Sequence, residues 1–316
     1  MTGAGYVNGS ERIRSSADTA PWLSGMRRVC FVSHMPTLSG RARLAGILGW
    51  PVAHSRSPRL HGFWLERHRI DGAYVPLAVP PEQLGLGVRG LLACGFRGCN
   101  VTLPHKEAAY ALCDTLTESA RRVHAVNTLL FQDGRIHGNS TDGAGFIANL
   151  RSHEVNPAAG PALLIGAGGA ARDIAAALLD EGAKVSVTNR TPERAEALAR
   201  LLPGLALVAW SDREAALADQ ALLVNATSAG MADRPPLEIA LSRAPSSLVV
   251  ADIVYVPLVT PLLAAARAQG LATIGGLGML LHQAVEGFAA WFGIVPAVDR
   301  ELFEFVAQDL VPPKAD

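Results

Sequence analysis

The sequence lacks the features that would commit it to a membrane, a nucleic acid or an oxidising compartment. It has no run of ~20 apolar residues, so no segment reads as a bilayer span. Neither sign of charge is in excess: Lys plus Arg and Asp plus Glu both number 28. That balance excludes the basic surplus that phosphate backbones and anionic surfaces select, and leaves a small molecule as the expected partner. Cysteine is scarce. Cys30, Cys94, Cys99 and Cys113 form no CxxC, and the pattern reads as reduced thiols in a cytoplasmic protein. The nine histidines are scattered, and even His54 and His61 lack a Cys/His ligand pattern, so no metal centre is expected. The hydrophobic share, 49%, is that of a globular protein and argues against disorder.

A length of 316 residues suggests two domains. Residues 1–43 are rich in Gly, Ser and Arg, with a short apolar patch around Val29 to Val32 that is too weak for a secretory h-region. They read as a disordered extension or an over-long gene start, with Met26 or Met35 as alternative starts. Regular structure is expected from Leu44. Residues 44–49 read as a buried strand, and Ser57-Pro58 as the N-cap and N1 of a helix through His68. A strand at 73–79, a helix at 81–93 and a strand at 96–102 follow, then a helix opened by Pro104 through Cys113. Residues 128–138 predict a hairpin turning at Asp133-Gly134. A helix is expected over about 143–150.

Residues 155–161 (VNPAAGP) mark a boundary, after which strands alternate with helices: the βαβ unit 162–190, strands within 221–230, 248–255 and 271–276, and a helix at 260–269. Such alternation implies a parallel sheet with right-handed crossovers. Two helices, 278–292 and 298–309, close the chain.

The βαβ unit carries Gly166-Ala167-Gly168-Gly169-Ala170-Ala171 between strand and helix, a G-x-G-x-x-A pattern. The first glycine permits the tight turn, the second the approach of a pyrophosphate, and the third small residue close helix–strand packing. Free amides at the helix start attract phosphate. The following strand ends Thr188-Asn189-Arg190-Thr191-Pro192-Glu193-Arg194. An acid at its tip would hold a ribose 2′-hydroxyl; here Arg190 and Arg194 suit a 2′-phosphate instead, with Thr191 as N-cap. The dinucleotide expected is NADP.

Polar motifs crowd the first half: His54-Ser55-Arg56-Ser57-Pro58, Asn100-Val101-Thr102-Leu103-Pro104-His105-Lys106, Ala125-Val126-Asn127-Thr128 and Thr141-Asp142-Gly143. With GAGGAAR, NRTxxR, NATSxGM (225–231), DxVYxPxxTPLL (252–263) and GLGMLLHQA (276–284), they resemble the shikimate dehydrogenase family in composition and order, from about Leu44 to the C-terminal helices. The resemblance implies NADP-dependent reduction of 3-dehydroshikimate to shikimate, on the route to chorismate and the aromatic amino acids. It implies that Lys106 transfers the proton and pairs with Asp142. It places Ser55 and Ser57 at the substrate carboxylate, and Asn100, Thr102, Asn127 and Gln283 at its hydroxyls, with Tyr255 nearby. Thr227 and Ser228 would line the cofactor side, and Gly276 and Met279 the nicotinamide. A lysine suits an alkoxide that needs a proton and charge stabilisation. A helix start and burial disfavour its ammonium form, and Asp142 opposes both. Read by itself, Asp142 suits an N-cap.

The expected fold is α/β. A discontinuous substrate domain (44–150, completed by 278–316) accompanies a Rossmann-type NADP-binding domain (151–277). Two departures from the family pattern keep rivals open: Ser140 stands where Asn usually precedes the Thr-Asp pair, and Gly62 follows His61 where Asn is common. The rivals are a quinate/shikimate or aminoshikimate dehydrogenase and, from another class, a non-catalytic metabolite-sensing module. Oligomeric state is left open, a homodimer included.

Overall fold

Two six-stranded sheets organise the chain, each built from short apolar strands that the intervening helices cover. The computed structural model describes residues 37–308 and 310. Met26, Met35, Cys30 and most of the expected extension lie outside the described residues, as do the last six positions. Residues ahead of Leu44 already make specific contacts: Ser39 Oγ and N both donate to Asp71, and Arg43 Nη1 donates to the Phe292 carbonyl at 2.5 Å.

The first sheet runs β1 (Arg43–Gly49), β2 (Gly72–Ala78), β3 (Gly98–Val101), β4 (Thr115–Leu116), β5 (Thr128–Gln132) and β6 (Arg135–Asn139), with α1 (Ser57–Arg67), α2 (Leu84–Ala93), α3 (Lys106–Tyr110) and α4 (Glu118–Val123) between them. Its spatial order is β2-β1-β3-β5-β6-β4. The β2, β1 and β3 strands are parallel, and β3-β5-β6 antiparallel. Positive φ at both Asp133 (52°) and Gly134 (72°) gives the hairpin a turn that matches strand twist. Helix α5 (Asp142–Ser152) then leads to the second sheet: β7 (Ala162–Ile165), α6 (Gly169–Asp180), β8 (Val185–Thr188), α7 (Pro192–Leu201), β9 (Ala206–Leu207), β10 (Leu222–Asn225), β11 (Val249–Asp252), α8 (Pro261–Ala268) and β12 (Ala272–Ile274). Its order, β12-β11-β10-β7-β8-β9, is wholly parallel. The winding reverses between β7 and β10, the crevice where open α/β sheets bind ligands.

Helices α9 (Gly276–Phe292) and α10 (Arg300–Ala307) return to the first sheet. Phe288, Trp291, Phe292, Leu302 and Val306 bury against Ala45, Leu60 and Trp64. Trp291 Nε1 donates to the Leu129 carbonyl at 2.9 Å, and Trp64 Nε1 to that of Ala297 at 3.0 Å. Among the described residues no helix is long and apolar enough to cross a membrane.

Several expected elements change extent. The helix opened at Pro104 begins at Lys106 and stops at Tyr110, because Asp114 is drawn to the sheet: its N donates to the Ile136 carbonyl at 2.8 Å and its Oδ2 accepts from Ile136 N at 2.7 Å. Residues 81–93 begin as a 3₁₀ turn (Pro81–Gln83). Ser57 is the first residue of α1 rather than its cap, and Thr191 caps α7 by position without a side-chain bond. The short β4, α4 and β9 lack the length that makes periodicity visible.

Trp291 is fully packed, so Trp291→Ala opens a cavity and orphans the Leu129 carbonyl. Urea denaturation should show a loss of roughly 3–5 kcal/mol. A loss below about 1 kcal/mol would contradict the role given to α9.

Candidate active site

A cleft of about 740 Å³ opens where the carboxyl ends of β1 and β3 face those of β7, β8, β10 and β11. Its first wall is polar and densely hydrogen-bonded. Asn100 is the penultimate residue of β3; its Nδ2 donates to Thr128 Oγ1 at 3.0 Å and its Oδ1 accepts from Tyr74 Oη at 2.6 Å. Asn127 Nδ2 is shared among Asp142 Oδ1 (2.9 Å), Thr141 Oγ1 (3.0 Å) and Gln283 Oε1 (3.2 Å). Thr141 N donates to Asn127 Oδ1 at 3.0 Å, so the carboxamide cannot rotate without breaking both sets. Asn127 and Gln283 thus reach the same point from β5's approach and from α9, 156 residues apart in sequence.

Lys106 Nζ donates to Asp142 Oδ2, and both side chains are largely withdrawn from water, at 15% and 7% exposure. Asp142 therefore does not serve as an N-cap. It is the first residue of α5, Thr141 takes the cap position, and the carboxylate turns to Lys106 and Asn127 instead. Helix α5 can bring it there because it is nearly in backbone contact with its neighbours. A Cβ on Gly143 would lie 2.5 Å from the Asp173 carbonyl of α6, and one on Gly145 2.7 Å from Gln283 N of α9. Only glycine permits this approach at both places.

The second wall is the glycine loop. Gly166 has φ 121°, and a Cβ there would sit 2.9 Å from the Ala226 carbonyl; around Gly168 nothing lies within 4 Å of a Cβ, so the backbone is open to a ligand. Gly169 abuts Lys106: a Cβ would come 3.1 Å from that of Lys106. The loop and the lysine therefore meet directly. Ala167 and Ala170 complete the loop wall, followed at the end of β8 by Asn189, Arg190, Thr191 and Arg194. Asn189 Nδ2 donates to the Thr191 carbonyl at 2.9 Å, shaping the turn that carries the two exposed guanidinium groups. These features fit a dinucleotide phosphate: bare backbone, the start of α6, and cations where a ribose phosphate would be met.

Further along, Asn225 Oδ1 accepts from Thr227 N and Oγ1, while Asn225 Nδ2 donates to Asp252 Oδ1 at 3.0 Å. Asp252 also receives Thr260 Oγ1 at 2.7 Å, and its burial pushes its carboxyl up from the usual range. This buried network fixes the two loops that present Thr227, Ser228 and Tyr255. Gly276 and Met279, at the start of α9, close the floor. Tyr255 is raised above the usual phenol range by burial, against hydrogen bonds to Arg56 and Ser55.

Of the residues expected at the site, the cleft wall holds Lys106, Asp142, Ser57, Asn100, Thr102, Asn127, Tyr255 and Gln283 with all of the dinucleotide set; Ser55 alone stands outside it. Its Oγ accepts from Ser57 N at 3.2 Å, bracing the start of α1. Sequence reasoning missed Tyr74, Trp210, Arg213 and Arg234. Arg213 stacks on Trp210 at 4.5 Å and, like Arg234, lines the dinucleotide end of the cleft. No local pattern announces Trp210, Arg213 and Arg234, which belong to connections without periodicity, while Tyr74 lies within β2, where its pairing with Asn100 depends on the neighbouring strands. Ser140 does not leave a bond unmade: its Oγ donates to Asp173 Oδ2 at 2.8 Å. Gly62 faces open space, with nothing within 4 Å of a Cβ.

Residues 47–129 match the family described as "Shikimate dehydrogenase substrate binding domain", 151–274 match "Shikimate / quinate 5-dehydrogenase", and 276–300 match "Shikimate 5'-dehydrogenase C-terminal domain". The chain is 65% identical to a shikimate dehydrogenase (NADP(+)) of Acidiphilium cryptum, over 87% of this chain and 99% of that protein. Among solved structures, it is similar to shikimate 5-dehydrogenase of Thermus thermophilus in complex with NADP(H) and shikimate: TM-score 0.77, 39% identity, 85% of this chain and all of that one. A quinate dehydrogenase from Corynebacterium glutamicum in complex with NAD gives TM-score 0.78 at 30% identity, over 84% of this chain and 99% of that one. A two-sheet fold matched along its length, a glycine loop against a buried lysine–aspartate pair, and relatives this close lead to one conclusion: the chain belongs to the shikimate dehydrogenase family.

Proposed function

We infer that the chain catalyses the reversible, NADP-dependent reduction of 3-dehydroshikimate to shikimate. The observation that carries this reading is the contact of Lys106 with both Asp142 and Gly169, which sets a proton donor at the seam between a polyol-binding wall and a dinucleotide loop. When bound, NADPH supplies the hydride to the carbonyl carbon. Lys106 gives a proton to the oxygen as it becomes a hydroxyl, and in the reverse direction takes it back. Asp142 holds the ammonium group in place, and Asn127 holds Asp142. Ser57, Asn100, Thr102, Asn127 and Gln283 supply the mixed donors and acceptors that ring hydroxyls and a carboxylate require. Ser55 and Tyr255 act at the edge of that set, which agrees with their contact to the start of α1.

The same reading divides the molecule into a substrate domain (44–150 with 278–316, of which 309 and 311–316 lie outside the described residues) and a nucleotide domain (151–277). The helices that cross between the sheets, α5 and α9, support it. The free thiols of Cys94, Cys99 and Cys113 support a cytoplasmic location. Arg190 and Arg194, with no acid at the tip of β8, support NADP over NAD and so set the chain apart from an NAD-linked quinate enzyme.

Lys106→Ala should lower kcat by roughly 10²–10⁴-fold while shikimate binding, followed by calorimetry, stays within a few-fold. Turnover near wild type would overturn the proton-transfer role. Replacing Arg190 and Arg194 together with Ala should raise KM for NADP about tenfold or more, as expected for lost hydrogen bonds of ~1.5–3 kcal/mol to a charged group, and leave KM for NAD nearly unchanged. Equal effects on both cofactors would remove the 2′-phosphate assignment.

A further inference from the structure

Asp173 sits one turn into α6, belongs to none of the motifs that mark the site, and is a buried carboxyl at 5% exposure. Its Oδ2 accepts from Ser140 Oγ and from Gly143 N, each at 2.8 Å. These two residues flank Thr141-Asp142. One carboxylate oxygen therefore grips the chain on both sides of Asp142, and the absent Gly143 side chain is what lets α6 come close enough to do so.

We propose, building on the function inferred above, that Asp173 is a positioning residue: its buried carboxylate clamps the turn that carries Asp142 and so sets how Asp142 holds Lys106. The clamp also ties the first turns of α6, which follow the glycine loop, to the start of α5, so the dinucleotide wall and the proton-transferring pair move as one piece. Ser140 is the natural partner for this carboxylate, since its short hydroxyl is the right length to reach Asp173 across the helix contact.

The clamp carries charge. The ionisable groups facing Asp173 are Asp142 from α5 and Lys106 from α3; Arg122 of α4 is engaged by Asp180, Arg172 of α6 by Glu107, and Arg151 of α5 by Glu181, while β7 and β8 carry no charged residue. Burial, then the charge of Asp142, push the Asp173 carboxyl up to about 6, against its bonds to Gly143 and Ser140 and the charge of Lys106. Above that pH the anion strengthens the hydrogen bonds of the clamp; below it that effect fades. Because the folded value lies above that of the unfolded chain, ionisation opposes folding. The stability that Asp173 contributes is full below about 4 and is lost as pH rises through about 6.

The test compares the full-length wild type with Asp173→Asn and Asp173→Ala, measuring kcat and KM for shikimate with NADP from pH 5 to 9, and Tm over pH 4 to 7. Asn keeps acceptor geometry without titrating; Ala removes the clamp. In the wild type, kcat should fall on the acid side near pH 6. That limb should vanish or move by a unit or more in Asp173→Asn. Asp173→Ala should lose at least tenfold in kcat, short of the ~100-fold cost of a displaced catalytic group, with KM within about threefold. Wild-type Tm should fall relative to that of Asp173→Asn as pH rises from 4 to 7. An unchanged kcat limb in Asp173→Asn together with a constant Tm difference would overturn the proposal, and Asp173→Asn alone decides it if Asp173→Ala does not fold. A wild type that turns over no shikimate at any pH would instead defeat the functional reading on which the proposal rests.

Discussion

The near-contact of α5 with α6 on one side and α9 on the other is the constraint on which the site depends. Asp142 can meet Lys106 only because the chain around it enters a space too narrow for any side chain at Gly143 or Gly145. The same packing brings Gln283 to Asn127 and sets Gly169 against Lys106. The cleft amides, the lysine and the glycine loop are thereby assembled from three distant parts of the chain. Orienting reacting groups in this way is a large part of what an enzyme can contribute to a two-substrate reaction.

The parallel sheet, the glycine loop and the hairpin turn at Asp133-Gly134 were legible because their signals are local: apolar runs of strand length, glycine spacing, and a turn dipeptide. The polar constellation was legible because its motifs fall in a recognised order. What sequence could not show depends on neighbours brought in from afar. Pro104 reads as a helix start of ordinary length, but pairing of Asp114 with Ile136 ends that helix at Tyr110. Asp142 reads as a cap, yet its carboxylate is claimed by Lys106 and Asn127 from other elements. Ser140 reads only as a departure from the usual asparagine, whereas its partner, Asp173, lies 33 residues on, in a helix that pattern alone assigns to packing. Ser55 reads as a cleft residue, and what the fold adds is its contact with Ser57, whose N donates to Ser55 Oγ at the start of α1.

Selectivity follows from the same geometry. The wall proposed to meet the substrate is a network in which Asn100, Asn127 and Gln283 are each already committed to a partner, so on that reading an analogue that adds or removes a hydroxyl disturbs buried bonds. On the cofactor side, the discrimination proposed for the exposed guanidinium groups is an electrostatic preference, of the kind that salt weakens.

The most direct test of the account is a comparison of initial rates for the purified protein with shikimate and with quinate, each paired with NADP and with NAD. The account predicts efficient turnover only for shikimate with NADP, with each other pairing lower by at least an order of magnitude. Faster turnover of quinate, or of shikimate with NAD, would contradict it.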